Sequence, residues 1–178
     1  MKIAITGHTA GIGQALCKQY AARGHEIVGL SKREGYNIRV IPKIAAAVES
    51  CDMFINNAQA GYAQTELLFE VAQRWAGTKK HIIVISTMMT QYPTSNIAGL
   101  EMDQYRIQKV ALEEAVKQIR NRNLGIHLTI VRPGNIATSP EKTVPQAADV
   151  DNWASTLIGI FELAGPDLTI PDISLGPK

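Results

Sequence analysis

Short apolar segments alternate with longer amphipathic segments from one end of the chain to the other, and this alternation constrains the fold more than any other feature. The short segments predict strands at 2–6, 26–30, 52–55, 81–86, 125–131 and 168–173, with 36–40 as a candidate for an additional short strand. The longer segments predict helices at 12–23, directly after Pro42, and at 65–75, 103–121 and 153–163. Strands that alternate with helices form a parallel sheet covered by helices on both faces. The sequence therefore predicts a doubly wound α/β fold of three layers.

Length and composition predict a single domain. The chain has 178 residues, of which 46% are hydrophobic and 19% charged, and this is enough to bury a core of its own. The polar, proline-containing stretch 138–150 is predicted to be a long loop rather than a domain boundary. A net charge of +2 with dispersed basic residues predicts no nucleic-acid partner. Because the sequence shows neither an apolar run of the ~20 residues that span a membrane nor the apolar region of a signal peptide, we expect a cytoplasmic protein with no membrane partner.

The cysteines and histidines do not predict a metal site, because neither type shows metal-ligand spacing. Cys17 and Cys51 lie in apolar surroundings and are expected to be buried thiols. Three histidines are expected at the surface or at strand edges: His25, His81 and His127. His8 falls inside a glycine-rich turn, where it is a candidate contact for a phosphate.

The glycine-rich turn that contains His8 is the strongest functional motif. It reads Thr-Gly-His-Thr-Ala-Gly-Ile-Gly over residues 6–13, between the first strand and the first helix. Glycines let the backbone turn sharply and approach a pyrophosphate, and the helix N-terminus offers free N–H groups. A plain tight turn is the alternative, but this turn stands at the first strand-to-helix crossing, where an open parallel sheet binds its ligand. We predict a dinucleotide site with contacts from Thr6, Gly7, Thr9, Gly11, Ile12 and Gly13.

Four motifs in the same order resemble those of the short-chain dehydrogenase/reductase family. They are the glycine-rich turn, Asn56-Asn57-Ala58, Tyr105-x-x-x-Lys109 and Arg132-Pro133-Gly134, and the resemblance spans nearly the whole chain. It implies a Rossmann-type domain and an oxidoreductase that passes a hydride between a nicotinamide cofactor and a small-molecule carbonyl or alcohol. It also implies a homodimer or homotetramer paired through the helices around 61–75 and 103–121. Further cofactor contacts implied by the resemblance are Asn57, Ala58, Lys109, Pro133, Gly134 and Thr138.

The residues after the second strand favour NADP(H) over NAD(H). An acid at the end of this strand would accept hydrogen bonds from the adenosine ribose and repel a 2′-phosphate. The chain instead reads Ser31-Lys32-Arg33, a hydroxyl followed by two cations that suit that phosphate. A solvated loop with a basic pair is the alternative. By the resemblance, Asn37 takes the place of the family's adenine-contacting aspartate.

Tyr105 and Lys109 are candidates for proton transfer. Four residues apart on a helix, their side chains lie on the same face. A free tyrosine has a pKa near ~10, and a neighbouring ammonium lowers it, so that the phenol can act as a general acid or base. An ordinary helix-surface pair is the alternative. In the resembling family a serine completes the site; Thr87 falls on its place by register, and Ser86 is the other candidate.

Two departures from the family's pattern leave a second function open. Gln59 stands where the family has glycine, and the segment from there to the next strand is considerably shorter than usual. The family's catalytic asparagine in that segment has no counterpart, although Gly61 or Tyr62 falls near its register. The alternative is therefore a non-catalytic NADP(H)-binding protein, either a redox sensor or a subunit partner. Epimerase or dehydratase chemistry on a nucleotide sugar ranks last, because no separate substrate domain is evident.

Overall fold

The computed structural model describes residues 1–92, 99–138, 146–164 and 168–177. Its strands are Lys2–Thr6 (β1), Glu26–Leu30 (β2), Met53–Asn56 (β3), His81–Ile85 (β4), His127–Pro133 (β5), Ile136–Ala137 (β6), Ala148–Asp149 (β7) and Asp172–Leu175 (β8). Its helices are Gly11–Ala22 (α1), Ile41–Val48 (α2), Ala63–Arg74 (α3), Gly99–Asn121 (α4) and Val150–Ala164 (α5). Single 3-10 turns follow β2 and β4, at Lys32–Glu34 and Met88–Gln91.

Six strands form one parallel sheet in the order β2-β1-β3-β4-β5-β8. The chain starts in β1, adds β2 on one side, and then crosses to β3 on the other side. The order therefore reverses between β1 and β3, and doubly wound sheets bind ligands outside the carboxyl ends of the strands at such a switch point. The prediction of a doubly wound parallel sheet is confirmed.

The sheet is buried on both faces, which is why its strands read as continuous apolar runs. Successive side chains point to opposite faces, so that Ile82 packs in the core under α2, α3 and α4, whereas Ile83 packs in the core under α1 and α5. Phe54 and Trp75 fill the first core, and Trp153 belongs to the second. The helices therefore lie in two layers around the sheet, as predicted.

Three predicted segments differ from the structure. Residues 36–40 are not a strand, because the Asn37 side chain and carbonyl accept the amides of Arg39 and Val40 and close a local turn. The last strand begins only after Pro171, which has no N–H to donate to the sheet. The stretch 138–150 is not wholly a loop, since β6 and β7 pair in parallel across it; its residues 139–145 lie outside the described part of the chain.

None of the helices in the described residues is both long enough and apolar enough to cross a membrane.

Candidate functional site

The glycine-rich turn brings α1 into direct contact with the end of β1. Gly7 and Gly11 adopt left-handed backbone conformations with φ values of 70° and 53°, which glycine favours. A Cβ at Gly13 would overlap the carbonyl oxygen of Gly7 and lie 2.8 Å from Asn57 Nδ2. Ala10 caps α1 with a methyl group that cannot accept a hydrogen bond, so that the first amides of the helix are left for a ligand.

The end of β1 is tied to the loop after β3 by the Thr6 hydroxyl. Thr6 Oγ1 accepts hydrogen bonds from the Asn57 amide at 2.9 Å and the Ala58 amide at 3.0 Å, and Asn57 Nδ2 donates to the Thr6 carbonyl at 2.9 Å. The structure thus brings these three predicted site residues together at the switch point. Because their polar atoms bond to one another, Thr6 and Asn57 hold the shape of the turn.

Lys109 is buried at the carboxyl end of β4, beside Tyr105. Lys109 is 3% exposed, and its Nζ donates to Gln64 Oε1 and to the Ile85 carbonyl, each at 2.8 Å. Nζ lies 5.6 Å from the centre of the Tyr105 ring. Burial lowers the pKa of Lys109 to about 7, against the opposing effect of the Glu113 carboxylate. The predicted pair is therefore assembled, with an ammonium that releases its proton readily.

The Tyr105 phenol faces Thr87 rather than Ser86. Burial raises the pKa of Tyr105, and a hydrogen bond with Thr87 partly offsets this rise. The Ser86 hydroxyl points the other way and donates to Glu113 Oε1 at 2.5 Å, where Thr90 Oγ1 also donates at 2.7 Å. Of the two candidate hydroxyls, only that of Thr87 forms a hydrogen bond with Tyr105 among the described contacts.

Glu113 fixes this part of the site to the sheet. It is buried and accepts two hydrogen bonds from Arg132 Nε at 3.0 Å and one from Nη2 at 2.7 Å. Arg132 in turn pairs with Asp172 of β8 at 3.0 Å. Because a buried ion pair needs full hydrogen bonding to offset its desolvation, this network holds α4, β5 and β8 in one relative position.

Gln64, at the start of α3, is a site residue that the sequence analysis missed. Its Nε2 donates to the Asn56 carbonyl at 2.7 Å and the Ile85 carbonyl at 3.1 Å, while Oε1 accepts from Lys109. The amide therefore bridges the ends of β3 and β4 and orients the lysine. One sequence signal could have found it. Gln64 precedes Leu67, Leu68 and Val71 by three, four and seven residues, so that this glutamine lies on the apolar face of the helix.

Of the residues predicted to hold the nicotinamide end, Thr138 lies against the glycine turn, and Pro133 and Gly134 lie at the carboxyl end of β5. Thr138 packs on Gly11, whose added Cβ would lie 3.2 Å from Thr138 Cβ. Pro133 ends β5, and a Cβ on Gly134 would lie 2.8 Å from Gly176 Cα. Thr138 therefore lies at the start of α1, whereas Gly134 packs on the residues that follow β8. Two further predicted residues of the turn, Thr9 and Ile12, are half-buried there.

The residues predicted to hold the adenosine end lie after β2. Ser31 is buried, while Lys32 and Arg33 expose their side chains. Asn37 uses its Oδ1 to accept the Arg39 amide at 3.1 Å, so that this atom is engaged within the loop. Glu34, which the sequence analysis did not select, accepts a hydrogen bond from the Ser31 hydroxyl at 3.4 Å.

Across the described ranges, no group of three or more His, Cys, Asp or Glu side chains is placed to hold a metal ion. Burial raises the pKa of both thiols, that of half-buried Cys17 to about 11 and also that of buried Cys51.

Buried Lys109 should leave a signature in the pH dependence of stability. Between its pKa of about 7 in the folded chain and its ordinary value above 10, the unfolded chain binds a proton that the folded chain does not. The free energy of unfolding should therefore rise with pH through this window, and Lys109→Met should remove the rise. One pKa unit corresponds to about 1.4 kcal/mol, so the free energy of unfolding of the wild type, measured with urea, should rise by at least this amount between pH 7 and pH 10.

Lys117→Met is the matched control for this experiment, because Lys117 lies exposed on the same helix. It should follow the wild-type curve. Parallel curves for wild type and Lys109→Met would show that the lysine titrates alike in the folded and unfolded chains.

Comparison with known proteins identifies the fold through structure rather than sequence. No family model and no curated protein sequence matches the chain. A short-chain dehydrogenase from Burkholderia cenocepacia J2315, in complex with NADP, superimposes with a TM-score of 0.76 at 15% identity, covering 98% of this chain and 87% of its own. The NADPH-dependent 3-quinuclidinone reductase from Rhodotorula rubra gives 0.76 at 17% identity, covering 98% and 89%. A Streptomyces avermitilis short-chain dehydrogenase gives 0.73 at 19%, covering 98% and 88%. The chain therefore has the fold of the short-chain dehydrogenases over nearly its whole length.

Proposed function

We propose that this protein is an NADP(H)-dependent oxidoreductase that reduces a carbonyl, or oxidises an alcohol, of a small molecule. The observation that carries the proposal is the meeting of Tyr105, Thr87 and Lys109 at the carboxyl edge of the sheet. Two structural neighbours support the choice of cofactor, since one was solved with NADP and another is named as NADPH-dependent.

The residues around the switch point fit a dinucleotide. Gly13 leaves no side chain between α1 and the turn, so that the helix packs closely on the end of β1, and the first helix amides, which no side chain caps, suit a pyrophosphate. Ser31, Lys32 and Arg33 would hold the adenosine 2′-phosphate after β2. The nicotinamide half would lie toward Pro133, Gly134 and Thr138, with Lys109 at its ribose. The bound cofactor supplies or accepts the hydride.

Proton transfer falls to the chain's own side chains. In the direction of reduction, the Tyr105 phenol gives its proton to the substrate oxygen. Thr87 Oγ1 accepts the Met89 amide at 3.3 Å, and its own proton would turn from the hydrogen bond with Tyr105 to the same substrate oxygen. A protonated Lys109 stabilises the tyrosinate that remains, and with a pKa of about 7 both of its states are populated at neutral pH. Ser86 serves the site indirectly, through Glu113.

A cofactor-binding protein without turnover is the second candidate. The observation that favours it is the environment of the proton-transfer pair. Lys109 gives two of its three donors to Gln64 and Ile85, and burial raises rather than lowers the pKa of Tyr105. A redox sensor or a subunit partner would need the dinucleotide site but not an activated tyrosine.

We further propose a homodimer paired through the outer faces of α3 and α4. Large apolar side chains point to solvent there: Phe69 is 46% exposed, Ile107 53% and Val110 40%. Tyr62 and Leu100 extend the same helices' exposed apolar surface. Exposed apolar residues on two helices that pack together are typical of a surface that is covered in an assembly.

Tyr105→Phe separates the two candidate functions. Loss of the phenolic proton should lower the turnover of NADPH with a panel of aldehydes and ketones by about 10²–10⁴-fold. The dissociation constant for NADPH should change less than about twofold. Tyr20→Phe, which removes a hydroxyl near the C-terminal end of α1 and away from the carboxyl edge of the sheet, is the control. Full activity in Tyr105→Phe would exclude it as the proton donor, and a wild type that binds NADPH but turns over none of the panel would favour the second candidate.

Arg33→Glu tests the choice of dinucleotide. If Arg33 contacts the 2′-phosphate, its charge reversal should weaken NADPH binding by about 10–100-fold and NADH binding far less, because hydrogen bonds to charged groups contribute about 1.5–3 kcal/mol. Calorimetric titration with both dinucleotides measures the two constants. Arg122→Glu, exposed in the turn that precedes β5 at the opposite edge, is the control. An equal loss for both dinucleotides would contradict the NADP(H) assignment.

Ile107→Asp tests the dimer. A carboxylate at the centre of the apolar surface of α4 should convert the protein to a monomer in light scattering coupled to gel filtration, because burying the charge at the interface is unfavourable. Lys117→Asp, on the same helix but outside the apolar surface, should leave the mass unchanged. A wild type that is already monomeric at high micromolar concentration would rule out this interface.

A further inference from the structure

His8 is seated on β2 in a position that only glycine at residue 29 permits. An ideal Cβ on Gly29 would lie 2.6 Å from His8 Cε1 and would overlap the neighbouring ring atoms as well. The imidazole therefore occupies the space in which any other residue at position 29 would place its side chain. Because the Gly7 amide donates to the Leu30 carbonyl at 2.8 Å, the backbone before His8 is fixed to the same strand. The ring is held over the carboxyl end of β2.

His8 and Ser31 together hold the Glu34 carboxylate. His8 Nε2 lies 3.3 Å from Glu34 Oε2, and the Ser31 hydroxyl donates to the same oxygen at 3.4 Å. The other ring nitrogen, Nδ1, is buried and has no hydrogen-bond partner among the described residues, so that the ring's polar contact is with the carboxylate. Glu34 belongs to the 3-10 turn after β2, and this turn folds it back toward the strand end.

This place is where a dinucleotide on the glycine turn puts its adenosine ribose, beside the end of the second strand. An acid there accepts hydrogen bonds from ribose hydroxyls and repels a 2′-phosphate. The sequence shows no acid at the strand end itself, and the carboxylate belongs to Glu34, three residues after Ser31. The nearby cations are Lys32 and Arg33 on the same turn, and Lys43 of α2, whose Nζ donates to the Gly35 carbonyl at 2.9 Å.

We propose that Glu34, held by His8 and Ser31, is a specificity-determining residue that opposes the adenosine 2′-phosphate and limits the preference for NADPH over NADH. This inference rests on the proposed function. A 2′-phosphate that takes the Ser31 hydroxyl must displace Glu34 from it, and the two anions then share one small site. A ribose with free hydroxyls has no such conflict and can donate to the carboxylate. The turn therefore carries both cations that attract the phosphate and one anion that repels it.

The test is calorimetric titration of wild type, Glu34→Gln and Glu34→Ala with NADPH and NADH. Both variants should tighten NADPH binding by roughly tenfold or more and leave NADH binding unchanged or weaker, so that the ratio of the two constants moves toward NADPH. Glu34→Gln keeps the size and polarity of the side chain and isolates the charge. Glu49→Gln is the matched control, because this exposed glutamate precedes β3 at the opposite edge of the sheet and removes the same charge from the molecule.

The outcomes separate this inference from the function on which it rests. If wild type binds the dinucleotides but the Glu34 variants leave the ratio unchanged, or change both constants alike, the role of Glu34 is overturned and the dinucleotide site stands. An equal shift in Glu49→Gln would assign the effect to net charge and also overturn it. If wild type binds neither dinucleotide, the proposed function and this inference fail together.

Discussion

The close approach of α1 to the end of β1 at Gly13 is the constraint on which the rest of the site depends. With any side chain at this position, the helix would have to move away from the Gly7 carbonyl and from Asn57. Since the Thr6 hydroxyl joins the same turn to the loop after β3, a displacement here would open the switch point between β1 and β3. The free helix amides, the turn and the asparagine motif are therefore one rigid unit, and the remaining site residues take their places around it.

One turn of α4 carries two buried ionisable residues, of which one has an oppositely charged partner in direct hydrogen-bond contact and the other has only neutral acceptors. Glu113 is matched by Arg132, by hydroxyl donors and, through Arg132, by Asp172, so that its charge is well compensated. Lys109, four residues earlier, faces the neutral oxygens of Gln64 and Ile85, and burial lowers its pKa. The ion pair anchors the helix, and this anchoring holds an amine in a position that would otherwise be unfavourable.

The sequence predicted the parts of this molecule that depend on local pattern. The apolar runs predicted the succession of strands and helices along the chain, and the glycine turn predicted a ligand site after the first strand, since both are short-range properties of the chain. The choice between Ser86 and Thr87 could not be made, because successive residues point to opposite sides and only the position of α4 shows which side holds Tyr105. Gln64 was missed because it reaches the site through contacts with elements distant in sequence, and Glu34 because only the 3-10 turn after β2 brings its carboxylate back to Ser31.

The short connection between β3 and α3 explains how this chain completes its site with few residues. Because α3 starts at Ala63, soon after the asparagine motif, its first turn lies at the carboxyl edge of the sheet. Gln64 is therefore within reach of Lys109 and of the strand-end carbonyls of Asn56 and Ile85. A longer connection would let the helix begin farther from the edge and would leave the lysine without this acceptor. The short segment thus places the Gln64 amide against Lys109. Because this amide is neutral, it orients the lysine without adding a charge that would raise the pKa of the lysine.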